Sequence, residues 1–292
     1  MSTTTAPVLR DSVEVDGRLR TFTVVKPAHA TAPHPLVLVF HGSRQSADKH
    51  RAFTGGMYDE LASDAVVAYL DGYRGNWNDA RRGSRFPARR DGVDDIGFTR
   101  AVIAKLAAEH GADPDRVVAV GYSNGGQMVM RLVHEAPELL AGAVVIAATM
   151  PAPENFLSTG APVVPMPLLA IHGTKDPITS YDGGSFTWWQ RLVFKVGGES
   201  WSAPQTARYF ASRNGITADP VTTRLPAAGS GDPTEVERTD YRQDGRPPVT
   251  LLTVHNGGHT IPGPADAPAV IGRTSHHVTT ARVLADFFGL RR

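Results

Sequence analysis

The sequence contains no cysteine. That absence excludes disulfides, thiolate metal sites and a cysteine nucleophile. Long apolar runs are missing too: no stretch reaches the roughly 18 consecutive apolar residues of a membrane-spanning helix. An excess of one charge is also missing. Lys and Arg total 30 against 29 for Asp and Glu, a formal net charge of +1. Such a balance gives no general attraction to nucleic acid or to an anionic membrane. The opening MSTTTAPVLRDSVEVDG lacks the apolar segment that a secretory signal needs. These deficits lead to the expectation of a reduced, cytoplasmic protein with neither a nucleic-acid nor a membrane partner.

What is present is ordinary globular material, 41% hydrophobic and 20% charged over 292 residues. No internal repeat and no clean linker interrupt it. The expectation is a flexible N-terminus over residues 1–11 and a single domain over 12–292. SVEVDGRLRTFTVVKP alternates on both sides of Asp16-Gly17 and predicts an antiparallel hairpin. PLVLVF (35–40) is an unbroken apolar run, the mark of a strand buried on both faces. Further strands are predicted at 65–70, 116–120, 141–148, 167–173 and 249–254. Helices are predicted near 55–63, 94–110, 123–135, 203–213 and 274–290. Alternating strands and helices predict an α/β fold, a mostly parallel central sheet with helices on both faces. Residues 71–93, 149–166 and 182–201 fit this scheme poorly, and long loops of this kind are often binding elements.

The chemistry centres on VVAVGYSNGGQMVMRLV (117–133). Gly121-Tyr122-Ser123-Asn124-Gly125 fits G-x-S-x-G between a strand and a helix. There the glycines relieve a strained turn and the helix N-terminus offers free N–H groups. A plainer account makes Ser123 a helix N-cap. A serine hydroxyl needs a base, and the base needs an orienting acid, in chain order serine, acid, histidine. LLAIHGTKDPITSY places Asp176 just past a strand, with Asp182 as a rival. LLTVHNGGHTIPG places His259 past the last strand, with His255 as a rival. The loop His41-Gly42-Ser43 follows the first buried strand. The backbone N–H of Ser43, or less readily of Arg44, together with that of Asn124 would form an oxyanion hole. His41 itself reads as a structural support of that loop.

FHGS, DDIGFTRAVI, DPDRVVAVGYSNGGQM, HGTKDP and GGHTIPG together resemble the α/β-hydrolases of the poly(3-hydroxybutyrate) depolymerase and feruloyl esterase group, from about residue 12 to 288. The resemblance implies an α/β-hydrolase fold, a carboxylic ester substrate and no cofactor. It places nucleophile, acid and base on Ser123, Asp176 and His259. Such proteins typically carry a tryptophan two residues after the histidine, where this chain has Ile261. Many are secreted and contain cysteine, and those acting on solid polymer usually have an added binding domain. The departures point to a small soluble ester, aryl or hydroxycinnamoyl or short hydroxyalkanoate. An acyltransferase using the same acyl-enzyme and a non-catalytic ligand-binding fold are the alternatives.

Trp188, Trp189, Phe186 and Phe194 in the aromatic excursion, with Tyr181 and Ile261, are candidates to line the substrate pocket, and Trp77 is a weaker one. Arg81, Arg82, Arg85, Arg89 and Arg90 read as a solvated loop rather than as an anion site. Asp94 and Asp95 read as caps of the following helix. No metal motif is found, His276-His277 included.

Overall fold

The computed structural model describes residues 7–27, 33–157, 160, 162–185, 197–226 and 231–290. Strands β1 (Val8–Val15) and β2 (Arg18–Val25) form the expected hairpin, turned at Asp16-Gly17, and it begins earlier than expected: residues 8–11, expected as flexible terminus, pair with β2. Every residue of β3 (His34–Phe40) is buried. Its alternate side chains leave on opposite faces: Leu36, Leu38 and Phe40 join one apolar cluster, Val37 and Val39 the other. Helix α1 (Ala47–Phe53), a 3-10 turn (Met57–Ser63) and β4 (Val66–Leu70) follow. The helix expected near 55–63 is instead this 3-10 turn, and α1 lies ahead of the expected range.

Helices α2 (Pro87–Arg90) and α3 (Asp95–His110) lead to β5 (Ala112–Tyr122), α4 (Asn124–Glu135), β6 (Gly142–Ile146) and β7 (Leu168–Gly173). After the short pair β8 (Gly184–Ser185) and β9 (Glu199–Ser200) come α5 (Ala203–Arg213), β10 (Val221–Arg224), β11 (Glu235–Tyr241), β12 (Val249–His255) and α6 (Thr280–Phe288). Phe98 and Leu106 of α3, Met128 and Leu132 of α4 and Phe210 of α5 fill the first cluster. Tyr58 of the 3-10 turn, with Ala281 and Leu284 of α6, fills the second. Each Phe, Leu and Met among them contributes about 1.5–3 kcal/mol on burial, so both faces of the sheet are firmly covered.

The main sheet has ten strands in the order β1-β2-β4-β3-β5-β6-β7-β12-β11-β10. From β4 to β12 the six neighbours are parallel, and antiparallel strands extend both edges. The second antiparallel edge, β11 and β10, is not predicted from the sequence. All of β10 is exposed and most of β11 only half-buried, so neither carries the apolar alternation that marks a strand. The closing helix is also shorter than expected. Arg273 and Ser275 give their carbonyls to Gly258 and Gly263 N–H instead of to a helix.

Strand order reverses at β3, with β4 on one side and β5 on the other. Connections leave in opposite directions at such a place and open a crevice outside the carboxyl ends of the strands. The loop after β3 and the turn after β5 border that crevice.

Candidate active site

Between β5 and α4 the chain turns through a single residue. Ser123 has φ 54° and ψ −115°, a strained conformation for any residue with a Cβ. Its N–H donates to Ile146 O at 2.8 Å. The turn is possible because its neighbours are bare: a Cβ on Gly125 would lie 2.1 Å from Phe40 O, and one on Gly121 2.3 Å from Gly125 O. Although Ser123 stands at the N-cap, its side chain caps nothing. Its Oγ lies 2.8 Å from His259 Nε2 instead.

His259 is 4% exposed and is clamped from three directions. Its N–H donates to Ile271 O at 2.7 Å, its carbonyl accepts from Tyr122 OH at 2.6 Å, and its Nδ1 lies 2.7 Å from Asp176 Oδ2. An ionised carboxylate only accepts, so Nδ1 carries the proton and Nε2 is left to accept from the serine. The Asp176 side chain has no exposed surface. Burial alone would raise its carboxyl. The His259 and His172 rings beside it outweigh that and hold it well below the usual carboxylate range. Oδ1 also accepts from Ile178 and Thr179 N–H, both at 2.8 Å. The structure therefore brings Ser123, Asp176 and His259 into one hydrogen-bonded chain. The rivals lie elsewhere: Asp182 is exposed, and His255 sits 3.7 Å from Glu237.

Across the crevice, Gly42 N–H donates to Gln45 Oε1 at 3.0 Å and Arg44 N–H to Gly75 O at 2.7 Å. The Ser43 N–H between them has no acceptor among the described residues. Asn124 opens α4, where the first N–H groups have no intrahelical partner. Its side chain ties down the neighbourhood, accepting from Trp77 N–H at 2.9 Å and donating to Asp79 at 2.6 Å. His41 Nε2 accepts from Gly72 N–H at 2.9 Å, and its Nδ1 then donates to Gly42 O at 2.7 Å. Burial pushes His41 down to about 4, so the ring is neutral and braces the loop.

A cleft of about 310 Å³ exposes Ser123, Asn124, His259 and Ser43, with Phe53, Phe86, Ile178, Pro268 and Ile271 as apolar wall. A nook of about 20 Å³ adjoins it and shares Ser123, Arg81 and Thr179. A larger and more open recess, about 1000 Å³, is bordered by Lys175, Asp232 and Arg273 and contains none of Ser123, Asp176 and His259. Ser123 and His259 both border the smaller cleft.

Several expectations need correction. Ile261 is 5% exposed and packs into the core beneath the His259 loop; Ile271 and Pro268 supply the wall in its place. Tyr181 meets His172 edge-on and hydrogen-bonds Thr253 Oγ1 at 2.8 Å, outside the cleft lining. Trp77 is fully buried, its indole N–H donating to His41 O. Trp188, Trp189, Phe186 and Phe194 lie outside the described residues. The arginine loop is only partly solvated. Arg82, Arg85 and Arg90 are exposed, whereas Arg81 is 8% exposed and paired with a fully buried Asp79 at 2.5 Å. Arg89 is half-buried and donates to the carbonyls of Asp79 and Arg81. Asp94 does cap α3, but Asp95 is fully buried against Arg20 at 2.7 Å.

Asp79 and His172 escaped the sequence reading, and Arg81 reads there as part of a solvated loop. No glycine or strand-end spacing marks Asp79 and Arg81, which the path of their loop brings to the site, whereas His172 stands at the end of β7 beside Gly173. Away from it, Asp11, Glu109 and His110 gather potential metal-ligand atoms within 4.8 Å of one another. Lys105 already supplies the cation there, 2.9 Å from Glu109 and 3.5 Å from Asp11.

Known esterases share sequence and fold with this chain. Residues 88–187 match the phospholipase/carboxylesterase family. The provisionally named esterase NocK of Nocardia uniformis subsp. tsuyamanensis is 32% identical over 284 residues, covering 94% of this chain and 80% of that one. Feruloyl esterase B of Piromyces equi is 27% identical over 227 residues, 77% of this chain but only 39% of the relative. Acetyl xylan esterase from Aspergillus awamori shares the fold at a TM-score of 0.62 and 12% identity, covering 97% of this chain and all of that one. The mostly parallel sheet is the α/β-hydrolase sheet, and the chain belongs to the carboxylesterase family of α/β-hydrolases, as a carboxylic ester hydrolase.

Proposed function

We propose that the protein is a serine esterase for small soluble esters with an aryl, hydroxycinnamoyl or short hydroxyalkanoate part. The observation that carries this reading is the 2.8 Å contact between Ser123 Oγ and His259 Nε2, at a serine that has forgone its capping role. Ser123 Oγ attacks the ester carbonyl while His259 Nε2 takes its proton. The carbonyl oxygen becomes an oxyanion held by the N–H groups of Ser43 and Asn124. His259 then protonates the departing alcohol, leaving an acyl-serine. A water gives its proton to His259 and attacks the acyl carbon. Release of the acid returns the proton to Ser123. Throughout, the Asp176 carboxylate fixes the ring and balances its transient charge. No cofactor enters the scheme.

The substrate size follows from the cleft: about 310 Å³ with apolar walls suits a compact ester body, at the lower end of ordinary ligand pockets. The test is fluorophosphonate labelling followed by peptide mapping. Wild type should be labelled on Ser123, and Ser123→Ala should not be labelled. A panel of p-nitrophenyl esters of graded length then reads the acyl limit. Labelling of Ser123→Ala at the wild-type rate overturns the reading.

A further inference from the structure

Arg81 is the one charged residue common to the cleft and the nook, and it lines both together with Ser123. Asp79 engages one edge of its guanidinium, with Nε at 3.2 Å and Nη2 at 2.5 Å. The remaining amino group, Nη1, has no acceptor among the described residues, and the side chain keeps 10% of its surface. Since a guanidinium offers five donors in a rigid fork, the pairing leaves a donor edge beside the nucleophile.

The Asp79–Arg81 pair alone would be neutral, but Arg89 adds a second positive charge to it, and Arg131 and Glu135 nearby cancel. The cluster therefore carries one surplus positive charge. Arg44 contributes another cation to the cleft lining, which includes no Asp or Glu among the described residues. A partly desolvated surplus charge of this kind favours an anion far more than water-exposed arginines do. The nook, at about 20 Å³, has room for a water or a hydroxyl and not for a carboxylate. An anion must therefore meet Arg81 from the cleft side, where Phe53, Phe86 and Ile178 receive the uncharged part of the molecule.

We propose that Arg81 selects esters that also carry a free carboxylate, such as half-esters of dicarboxylic acids or acylated hydroxy-acids, over uncharged esters of the same size. The proposal rests on Ser123 being the nucleophile of this cleft. Asp79 aims the guanidinium and ties it to Asn124, so charge recognition and the proposed oxyanion donor share one support.

Two matched pairs test it, one with the charge on each side of the ester: monomethyl glutarate against methyl pentanoate, and 4-acetoxybenzoate against its methyl ester. In wild type, kcat/KM should favour the anionic member of at least one pair by about ten- to hundredfold, the range of a charge-assisted hydrogen bond. Arg81→Gln should bring that ratio near one, and Arg81→Lys should keep part of it. A wild type with no preference in either pair overturns the proposal even if Arg81→Gln fails to fold, and so does an unchanged ratio in a folded Arg81→Gln. Titrating Ser123→Ala with the same esters reads binding without turnover. Absence of fluorophosphonate label on wild-type Ser123 defeats the catalytic reading. Equal binding of charged and neutral esters defeats only the charge selection.

Discussion

The two walls of the cleft use buried histidines in opposite ways. On the side built from the ends of β7 and β12, His259 and His172 face the buried carboxylate of Asp176 at 2.7 and 3.4 Å. On the side built from the end of β3, His41 and His50 hydrogen-bond only to uncharged groups. His41 lies between Gly42 O and Gly72 N–H, and His50 Nδ1 lies 2.9 Å from Gln45 Oε1. Burial pushes His41 to about 4 and His50 to about 3, so both stay neutral. One residue type thus pairs with a buried carboxylate on one side and braces backbone and amide groups as a neutral spacer on the other. Burial alone does not make a histidine catalytic.

The most damaging way to break this contrast is to remove the relay. Ser123→Ala and His259→Ala should each lower kcat by about a millionfold, and Asp176→Asn by about ten-thousandfold, because the ring loses its orienting charge and correct tautomer. Steady-state turnover of p-nitrophenyl butyrate checks the order, and an Asp176→Asn within tenfold of wild type contradicts it.

The spacer side should answer to acid through stability. His41 titrates near 4 when folded against 6.5 for the free side chain. Between those values the unfolded chain binds the extra proton and the folded one does not. Stability is therefore full above about 6.5 and falls as pH drops toward 4, by roughly 3 kcal/mol for this ring. Urea unfolding across that interval measures it, and a flat profile contradicts the neutral-spacer assignment. A smaller change is expected from Gln45→Ala, which removes the acceptor shared by Gly42 N–H and His50. With Ser43 N–H no longer held in place, kcat should fall about ten- to hundredfold with KM less affected. Smallest of all, Tyr181→Phe should leave turnover within about twofold and cost about 1 kcal/mol of stability for the lost bond to Thr253. A large change in KM would return Tyr181 to the substrate.

The contrast also explains what could be read from the letters. Ser123, Asp176 and His259 stand where buried strands end, among glycines that open the turns, so pattern and position coincide. The central parallel strands announce themselves by unbroken apolar runs such as PLVLVF. Asp79 and Arg81 lie in a stretch without periodicity, and their burial follows from how residues 71–93 fold over α4. Nearness in the chain misled at Ile261 and Tyr181, since standing close in sequence to a proposed site residue does not fix which way a side chain points.

Ser123 and His259 are 136 positions apart in the chain, and β6 and β7 lie between their strands. A sheet that lacks β12 cannot bring them together, because β12 has to dock on β7 before the imidazole arrives. Contacts of such long range form late and slowly. During refolding, returning turnover is thus a clock for the final strand's arrival, and a chain stalled earlier can hold most of its helices and still be chemically silent.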